Sequence, residues 1–303
     1  MSETVLMFLP IYLPILLGYL AQATGYFPVD YAHPIRQFCL KVAIPLMVFT
    51  NMATLDTSLL AQVLPVTLTL PLWMGFLWLA ALGVSRLPVF SQRRLEVVLV
   101  IMLSNIGYIG WAVSDIGLGP EGLARSIMFA TLLWPSTIAY AFLSQLIVRR
   151  SEGGLSSALR TMRIAVPVLT AFIFGLFVSL FDITMPGAVM TPLTAFGRMA
   201  SPLILFGVGL SISFKARWRE LSFILPLKLL LGFTAAWLAV LVVEGLDELS
   251  RRVVLIVSLM PVGANSLIVG DMLDLDEGYI AGAVTLSTLL ALITIPLTLL
   301  FLG

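Results

Sequence analysis

Apolar segments the length of whole helices alternate with short polar segments along this chain. Apolar stretches of roughly 20 residues, long enough for a helix to cross the hydrocarbon layer of a bilayer, recur from end to end with short polar loops between them. The pattern predicts an all-α polytopic membrane protein. We place its ten transmembrane spans, numbered in chain order, at residues 4–24, 34–54, 59–83, 95–117, 121–148, 162–181, 192–213, 221–244, 251–272 and 277–302.

Two of these apolar stretches resemble each other in sequence. Val97–Gly122 aligns without a gap to Val253–Gly278, which lies 156 residues later, and nine of the 26 pairs are identical. Apolar sequences can align through composition alone, but the shared glycines and acidic residues argue against that explanation. We therefore predict two repeats of five spans each, residues 1–150 and 160–303, with residues 151–159 in a short cytoplasmic linker.

A second match connects span 2 with span 7. Each contains a Pro-Leu-x-x-Phe motif that follows a basic residue by four positions, and the two motifs begin at Pro45 and Pro202, 157 residues apart. Because each half has five spans, the second half enters the membrane from the opposite side. We therefore expect an inverted 5+5 repeat related by an axis in the membrane plane.

Basic residues are concentrated in alternate loops, namely those around the start of spans 2 and 4, between spans 5 and 6, and after span 7. The positive-inside rule makes that side cytoplasmic. We therefore predict a multi-pass protein of the cell membrane with both termini outside the cytoplasm. The first residues lack a basic n-region, so we interpret span 1 as a retained span and not as a signal peptide.

Composition excludes several classes of protein. The chain is 60% hydrophobic and 11% charged, whereas soluble domains carry about 25% charged residues. A net charge of +1 does not favour nucleic acid as a partner. One cysteine, Cys39, and one histidine, His33, are too few for a disulfide framework or for most metal sites. We expect no metal and no cofactor.

Polar and helix-breaking residues interrupt spans 4 and 9. A break in hydrocarbon leaves backbone groups unpaired unless protein or a water-filled cavity satisfies them, and the helix that restarts offers free N–H groups and a positive dipole end to an anion. Span 9 has a proline at its break, but span 4 does not, so unwinding is predicted less strongly there. The candidate substrate-binding residues are Ser104, Asn105, Gly107, Tyr108, Pro261, Gly263, Asn265 and Ser266. The alternative role for the Asn and Ser side chains is to cap the broken helix ends.

Charged residues inside spans give a second set of candidates. Lys41 and Arg198 lie about two turns inside spans 2 and 7, and Asp56 follows the far end of span 2. They are candidates for anion attraction or proton coupling, because charges at such depth usually face a cavity or a partner. The alternative is that the two long side chains extend to the membrane interface.

The sequence resembles the auxin efflux carrier family, within the superfamily that also contains the bile-acid sodium symporters. The most specific motifs are Ser104–Gly110 in span 4, Ala195–Leu210 in span 7 and Met260–Ser266 in span 9. The resemblance implies helices 4 and 9 that are unwound and cross each other. It also implies a homodimer in which transport helices 3–5 and 8–10 move against scaffold helices 1, 2, 6 and 7. Family substrates are auxin in plants and malate or malonate-like acids in bacteria, and the carried-over polar positions are Asn105 and Asn265.

Three features of the sequence differ from other members of this superfamily. The long central loop of many plant carriers is absent, as expected for a bacterial-type member. Ala112 stands where the family often has a proline, and span 9 lacks the Glu-x-x-x-Gln pair that binds sodium in the bile-acid branch. Sodium coupling is therefore disfavoured.

From these patterns we predict a secondary active transporter of small organic anions. The substrate would be an auxin-like acid or a mono- or dicarboxylate, bound at the crossing and moved by elevator-type alternating access. The alternatives are a membrane ligand sensor without transport and a sodium-coupled symporter of the bile-acid type. An enzyme is not expected, because no His cluster or His-Glu-x-x-His motif is present.

Overall fold

The computed structural model describes residues 3–54, 60–148, 154–210 and 218–302, and helices dominate each of these ranges. The α-helices are α1 (Glu3–Ala23), α2 (Ala32–Phe38), α3 (Ile44–Ala53), α4 (Leu60–Ser85), α5 (Arg94–Met102), α6 (Trp111–Phe129), α7 (Leu133–Val148), α8 (Gly154–Leu180), α9 (Gly187–Arg198), α10 (Ala200–Leu210), α11 (Trp218–Val242), α12 (Glu248–Ser258), α13 (Asn265–Met272) and α14 (Glu277–Leu302). Short turns of 3-10 or π-helix occupy Val29–Tyr31, Cys39–Ala43, Pro88–Phe90, Ile106–Gly110 and Ala130–Leu132.

The predicted spans coincide with helix over most of their described residues, but several of them consist of two helices. Spans 2, 4, 7 and 9 begin with α2, α5, α9 and α12 and continue in α3, α6, α10 and α13. Within the described ranges, five stretches are by length and composition able to cross a membrane: Leu64–Ser85, Trp111–Val148, Gly187–Gly207, Trp218–Val242 and Glu277–Leu302.

Short helices explain why spans 4 and 9 do not each consist of one continuous membrane-crossing helix. An α-helix rises about 1.5 Å per residue, and the hydrocarbon core is about 30 Å thick. The 9 residues of α5 and the 11 residues of α12 therefore each cover only part of a crossing. The multi-pass all-helical class is confirmed, whereas the count of ten spans and the inverted repeat stay predictions.

A sharp turn inside α6 separates spans 4 and 5. Gly119 has φ of 72° and ψ of −172°, outside the helical region, and Pro120 follows it. Positive φ is readily adopted by glycine because it has no Cβ, and proline fits the first turn of the helix that resumes. The turn lies between the predicted end of span 4 at residue 117 and the predicted start of span 5 at residue 121.

The chain divides into two compact units, and each draws on both halves of the sequence. One unit consists of Met1–Gln62 and Met162–Ser211, and we call it the α1/α10 unit. The other consists of Val63–Thr161 and Ile212–Gly303. We call it the crossing unit because spans 4 and 9, the two spans with polar breaks, belong to it.

Glycines allow close helix packing in the α1/α10 unit. A Cβ on Gly18 of α1 would lie 2.2 Å from the carbonyl oxygen of Phe206 in α10. A Cβ on Gly175 of α8 would lie 2.6 Å from the carbonyl oxygen of Phe49 in α3. Gly175 follows Gly18 by 157 residues, and Phe206 follows Phe49 by the same number. Small residues at such contacts let helix backbones approach closely in membranes. Cys39, the single cysteine, is buried in this unit, with its Sγ 4.0 Å from the Ala200 carbonyl oxygen.

The crossing unit is built around α5, whose residues Leu95–Met102 are all buried. Apart from Glu96 these buried residues are apolar, and a helix that is apolar around most of its surface belongs in the centre of a bundle. Next to it, α11 approaches α12 closely, because a Cβ on Gly232 would lie 2.8 Å from the Ser258 carbonyl oxygen. The Trp73 indole of α4 donates a hydrogen bond of 3.0 Å to the Gly232 carbonyl. These contacts hold the C-terminal end of α12 in place, where the second polar break begins.

Candidate functional site

The first break follows α5. Leu103, with φ of −93° and ψ of 110°, is extended, and the chain turns helical again at Ile106. The Ile106 amide donates to the Ser104 carbonyl (2.9 Å), and the Gly110 amide donates to the Asn105 carbonyl (3.0 Å). Span 4 is therefore interrupted although it has no proline at the break.

The second break follows α12. The helix ends at Ser258, and α13 begins at Asn265. Pro261 lies between them, and it both removes a backbone donor and disfavours helix at the residue before it. A Cβ on Gly263 would lie 2.1 Å from the Asn265 Oδ1 and 2.8 Å from the Ser104 carbonyl oxygen. Only glycine fits at this point without displacing one of its neighbours.

The two breaks pair with each other through main-chain atoms. The Asn105 amide donates to the Pro261 carbonyl (2.8 Å), and the Gly263 amide donates to the Leu103 carbonyl (2.9 Å). Ser104 and Val262 form an isolated antiparallel bridge. The two chains therefore run in opposite directions where they meet, and each satisfies backbone groups that the interruption of the other leaves open.

Both restarting helices present free donors near this pairing. The amides of Gly107, Ala264 and Asn265 have no acceptor among the residues that the structure describes. The Asn105 side chain is buried and caps its helix, with its Oδ1 3.4 Å from the Ile109 amide nitrogen. The Asn265 side chain is half-buried, and it makes no hydrogen bond to another described residue. Helix N-termini with free amides favour an anion.

Two side chains from neighbouring helices support the crossing, and neither is among the residues predicted from the sequence. Lys228 of α11 is 1% exposed, and its Nζ donates to the Ser104 Oγ (2.7 Å) and to the Met260 carbonyl (3.1 Å). Ser287 of α14 accepts a 3.0 Å hydrogen bond from the Val262 amide. The available signal for Lys228 was its position, since it is a basic residue in the middle of an otherwise apolar span.

The structure brings most of the predicted binding residues together, but it assigns them different surroundings. Ser266 is fully buried, and its hydroxyl donates to the Gly263 carbonyl (2.7 Å). Gly107 and Tyr108 lie in the π-helical turn Ile106–Gly110; the side chain of Tyr108 is not among those described. Asn105, Pro261 and Gly263 meet directly at the pairing.

Two of the three predicted charged candidates, Lys41 and Arg198, are not in the crossing unit. Lys41 lies in the π-helical turn between α2 and α3, Arg198 ends α9, and both are exposed residues of the α1/α10 unit. Asp56 lies outside the described residues. Their predicted roles in anion attraction or proton coupling therefore stay predictions.

Ion pairs hold both ends of the crossing unit. Arg93, just before α5, pairs with Asp276, just before α14. Arg125 pairs with Asp247, the residue that caps α12, at 2.7 Å. Hydrogen bonding from Arg125 outweighs partial burial and lowers the pKa of Asp247 to about 2. Burial opposes ionisation of Asp276, but the hydrogen bond from Arg93 keeps its pKa below the usual value.

Comparison with known proteins points to transport. A family profile described as membrane transport protein matches residues 4–157 and again residues 155–299. An uncharacterized transporter of Methanothermobacter thermautotrophicus is 26% identical over 98% of this chain and 96% of its own length. An uncharacterized transporter of Methanocaldococcus jannaschii is 26% identical over 93% of this chain and 94% of its own. The chain therefore belongs to the membrane transport protein family, that of the auxin efflux carriers, and is a multi-pass transport protein rather than an enzyme.

Proposed function

We propose that this protein is a secondary carrier of small organic anions and that the anion binds where the two interrupted spans meet. The observation that carries the proposal is the free amides of Gly107, Ala264 and Asn265 beside the paired breaks. Paired interrupted helices at matching positions of two halves are the sequence-readable sign of a carrier's binding site.

The donors present at the crossing match a carboxylate. Main-chain amides at the start of a helix and the side-chain amides of Asn105 and Asn265 can donate to it. Because these are generic donors, they suit a monocarboxylate such as an auxin or a small dicarboxylate such as malate or malonate. The nearby Lys228 adds a positive charge in the same unit, which favours an anion over a cation or a neutral solute.

For the transport mechanism we propose elevator-type alternating access within a homodimer. The crossing unit would carry the bound anion as a body, while the α1/α10 unit would serve as the scaffold. The division of the chain into these two compact units supports this assignment. The equal 157-residue spacing of the glycine contacts in the α1/α10 unit and the antiparallel bridge between the breaks support an inverted repeat.

Flux through proteoliposomes tests the proposal directly. A carrier moves radiolabelled acid into or out of vesicles, whereas a ligand sensor binds the acid and moves none. A thermal-shift screen of the purified protein against auxins, malate and malonate selects the acid to label. A protein that is stabilised by an acid but gives no flux above empty vesicles would establish the sensor function instead.

Two substitutions test the location of the site. We expect Asn105→Ala and Asn265→Ala each to weaken binding by about 1–3 kcal/mol, the usual cost of losing a hydrogen bond to a charged group, and so to lower flux at subsaturating acid about 5–150-fold. The matched control is Asn51→Ala, which alters an exposed asparagine of α3. Wild-type flux and affinity in both crossing variants would place the binding site elsewhere.

A further inference from the structure

The ammonium group of Lys228 connects the two breaks. It comes from the middle of α11 and is almost completely buried. One of its acceptors, the Ser104 Oγ, belongs to the first break, and the other, the Met260 carbonyl oxygen, belongs to the second. An ammonium has three N–H donors and no acceptor, so it can bind only oxygen-rich groups of this kind.

These oxygens are of the type that carriers use to hold a metal cation. Carbonyls in unwound transmembrane segments and the C-terminal ends of half-helices coordinate sodium in transporters with broken helices. Ser104 and Met260 each follow a half-helix C-terminus, that of α5 and that of α12, where the helix dipole is negative. A positive charge at this point is therefore stabilised by both helices.

The charge of Lys228 is not neutralised by an acidic side chain. Within the described ranges no carboxylate lies within ion-pair distance of its Nζ. The position 157 residues earlier, in α4, is Pro71, so the other half of the chain supplies no second cation there. The stabilisation that a buried charge needs comes from the dipoles and oxygens of the two breaks.

We infer that Lys228 is a tethered cation that permanently fills the position of an exchangeable sodium ion at the crossing. This inference rests on the proposed function and specifies its coupling, because organic-anion transport through this protein needs no sodium. Shortening the side chain leaves oxygens without a positive partner and creates a site for a small free cation.

A small cavity lies next to the Lys228 side chain. This narrow cavity of about 10 Å³ borders Lys228 and Pro261. Ser287 and Thr294 of α14 add hydroxyl groups to its wall, and three leucines of α11 and α14 complete the lining. Truncation of Lys228 enlarges this cavity by the volume of the lost side chain, so a sodium or methylammonium ion can occupy the vacated position, whereas the larger choline ion is excluded by size.

Thermal unfolding of the full-length protein in detergent tests the inference. Wild type is expected to show the same Tm in sodium, methylammonium and choline chloride at equal ionic strength. Lys228→Ala is expected to have a lower Tm than wild type in choline and to gain about 2 °C, saturably, in sodium or methylammonium at ten times the Kd. Lys228→Met, whose side chain fills the space without a charge, is the matched control and should not respond to either cation.

Three results would overturn the inference: a wild-type Tm that rises with sodium, a Lys228→Ala Tm that is equal in all three salts, or the same cation response in Lys228→Met. If Lys228→Ala yields no folded protein in choline, purification in methylammonium should recover it, and no recovery also counts against the tethered cation. Flux of labelled acid by the wild type is independent of these measurements. Active transport without the cation response refutes this inference alone, and the response without any transport refutes the proposed function alone.

Discussion

Gly263 is the residue at which the crossing has least space. Its missing side chain leaves room for the Asn265 Oδ1 and the Ser104 carbonyl oxygen. We predict that Gly263→Ala separates the paired breaks and destabilises the protein by about 1–3 kcal/mol, the range for overpacking, with loss of transport. Thermal unfolding and proteoliposome flux measure the two effects.

The matched control for this glycine is Gly83→Ala in α4. Gly83 is exposed, and a Cβ there would meet no atom within 4 Å. Because alanine is the better helix former, this substitution should keep or raise stability, by up to about 1 kcal/mol. Equal Tm values for the two variants would show that the crossing is not sterically tight at Gly263.

At the residue scale, the sequence located the breaks but not the side chains that support them. Asn105 and Asn265 could be recognised because polar residues in apolar spans are conspicuous. The roles of Lys228 and Ser287 depend on partners that lie 124 and 25 residues away in the chain. Such distant pairings are set by helix packing, which residue type and spacing do not determine.

At the element scale, the interruption of span 4 depends on its partner. Neither a proline nor a cluster of glycines breaks the helix between Leu103 and Asn105. The lost helical hydrogen bonds are replaced by bonds to Pro261 and Gly263 of span 9. Local sequence therefore predicted the break in span 9 more strongly than the break in span 4, because the latter is stabilised by tertiary contacts.

The start of α12 gives an electrostatic prediction at this scale. Asp247 accepts from the Ser250 amide and from Arg125. Asp247→Ala removes the helix cap and should cost about 1 kcal/mol, whereas Asp247→Asn keeps a capping oxygen and loses mainly the ion pair. Thermal unfolding at pH 7 is expected to rank wild type above the Asn variant and the Asn variant above the Ala variant.

The same pair has a defined pH dependence. The folded-state pKa of Asp247 is about 2, below the unfolded value of about 3.9. Its contribution to stability is therefore present above about pH 4 and is lost as the pH falls toward 2. The Tm difference between wild type and Asp247→Asn should be constant from pH 7 to 5 and shrink below pH 4. A difference that persists unchanged at pH 3 would contradict this pairing.

At the scale of the whole molecule, the proposed inverted repeat implies matched effects at distant positions. Gly18→Ala and Gly175→Ala each place a methyl group within 2.6 Å or less of a carbonyl oxygen on a facing helix. Both should destabilise the protein by about 1–3 kcal/mol, as measured by thermal unfolding against the Gly83→Ala control. A large loss at one position with none at the other would argue against equivalent halves.

The orientation of the protein in the membrane can be tested by labelling engineered cysteines. Cys39 is buried, so an exposed engineered cysteine is the group that a membrane-impermeant maleimide should label. With both termini outside, we expect Thr184→Cys, between α8 and α9, to be labelled in intact cells. Ser91→Cys, just before α5, should be labelled only after permeabilisation, and the reverse pattern would invert the predicted topology.

The bridge between Ser104 and Val262 is made of main-chain peptide groups, so it does not depend on particular side chains. Side chains around the bridge can be exchanged while the pairing of the two breaks persists, because nearly every amino acid has a main-chain amide and carbonyl group. If the proposed site is correct, specificity for one acid or another can change through substitutions at Asn105 and Asn265 while the main-chain pairing is kept. A transporter with this architecture can therefore acquire new substrates through side-chain substitutions alone.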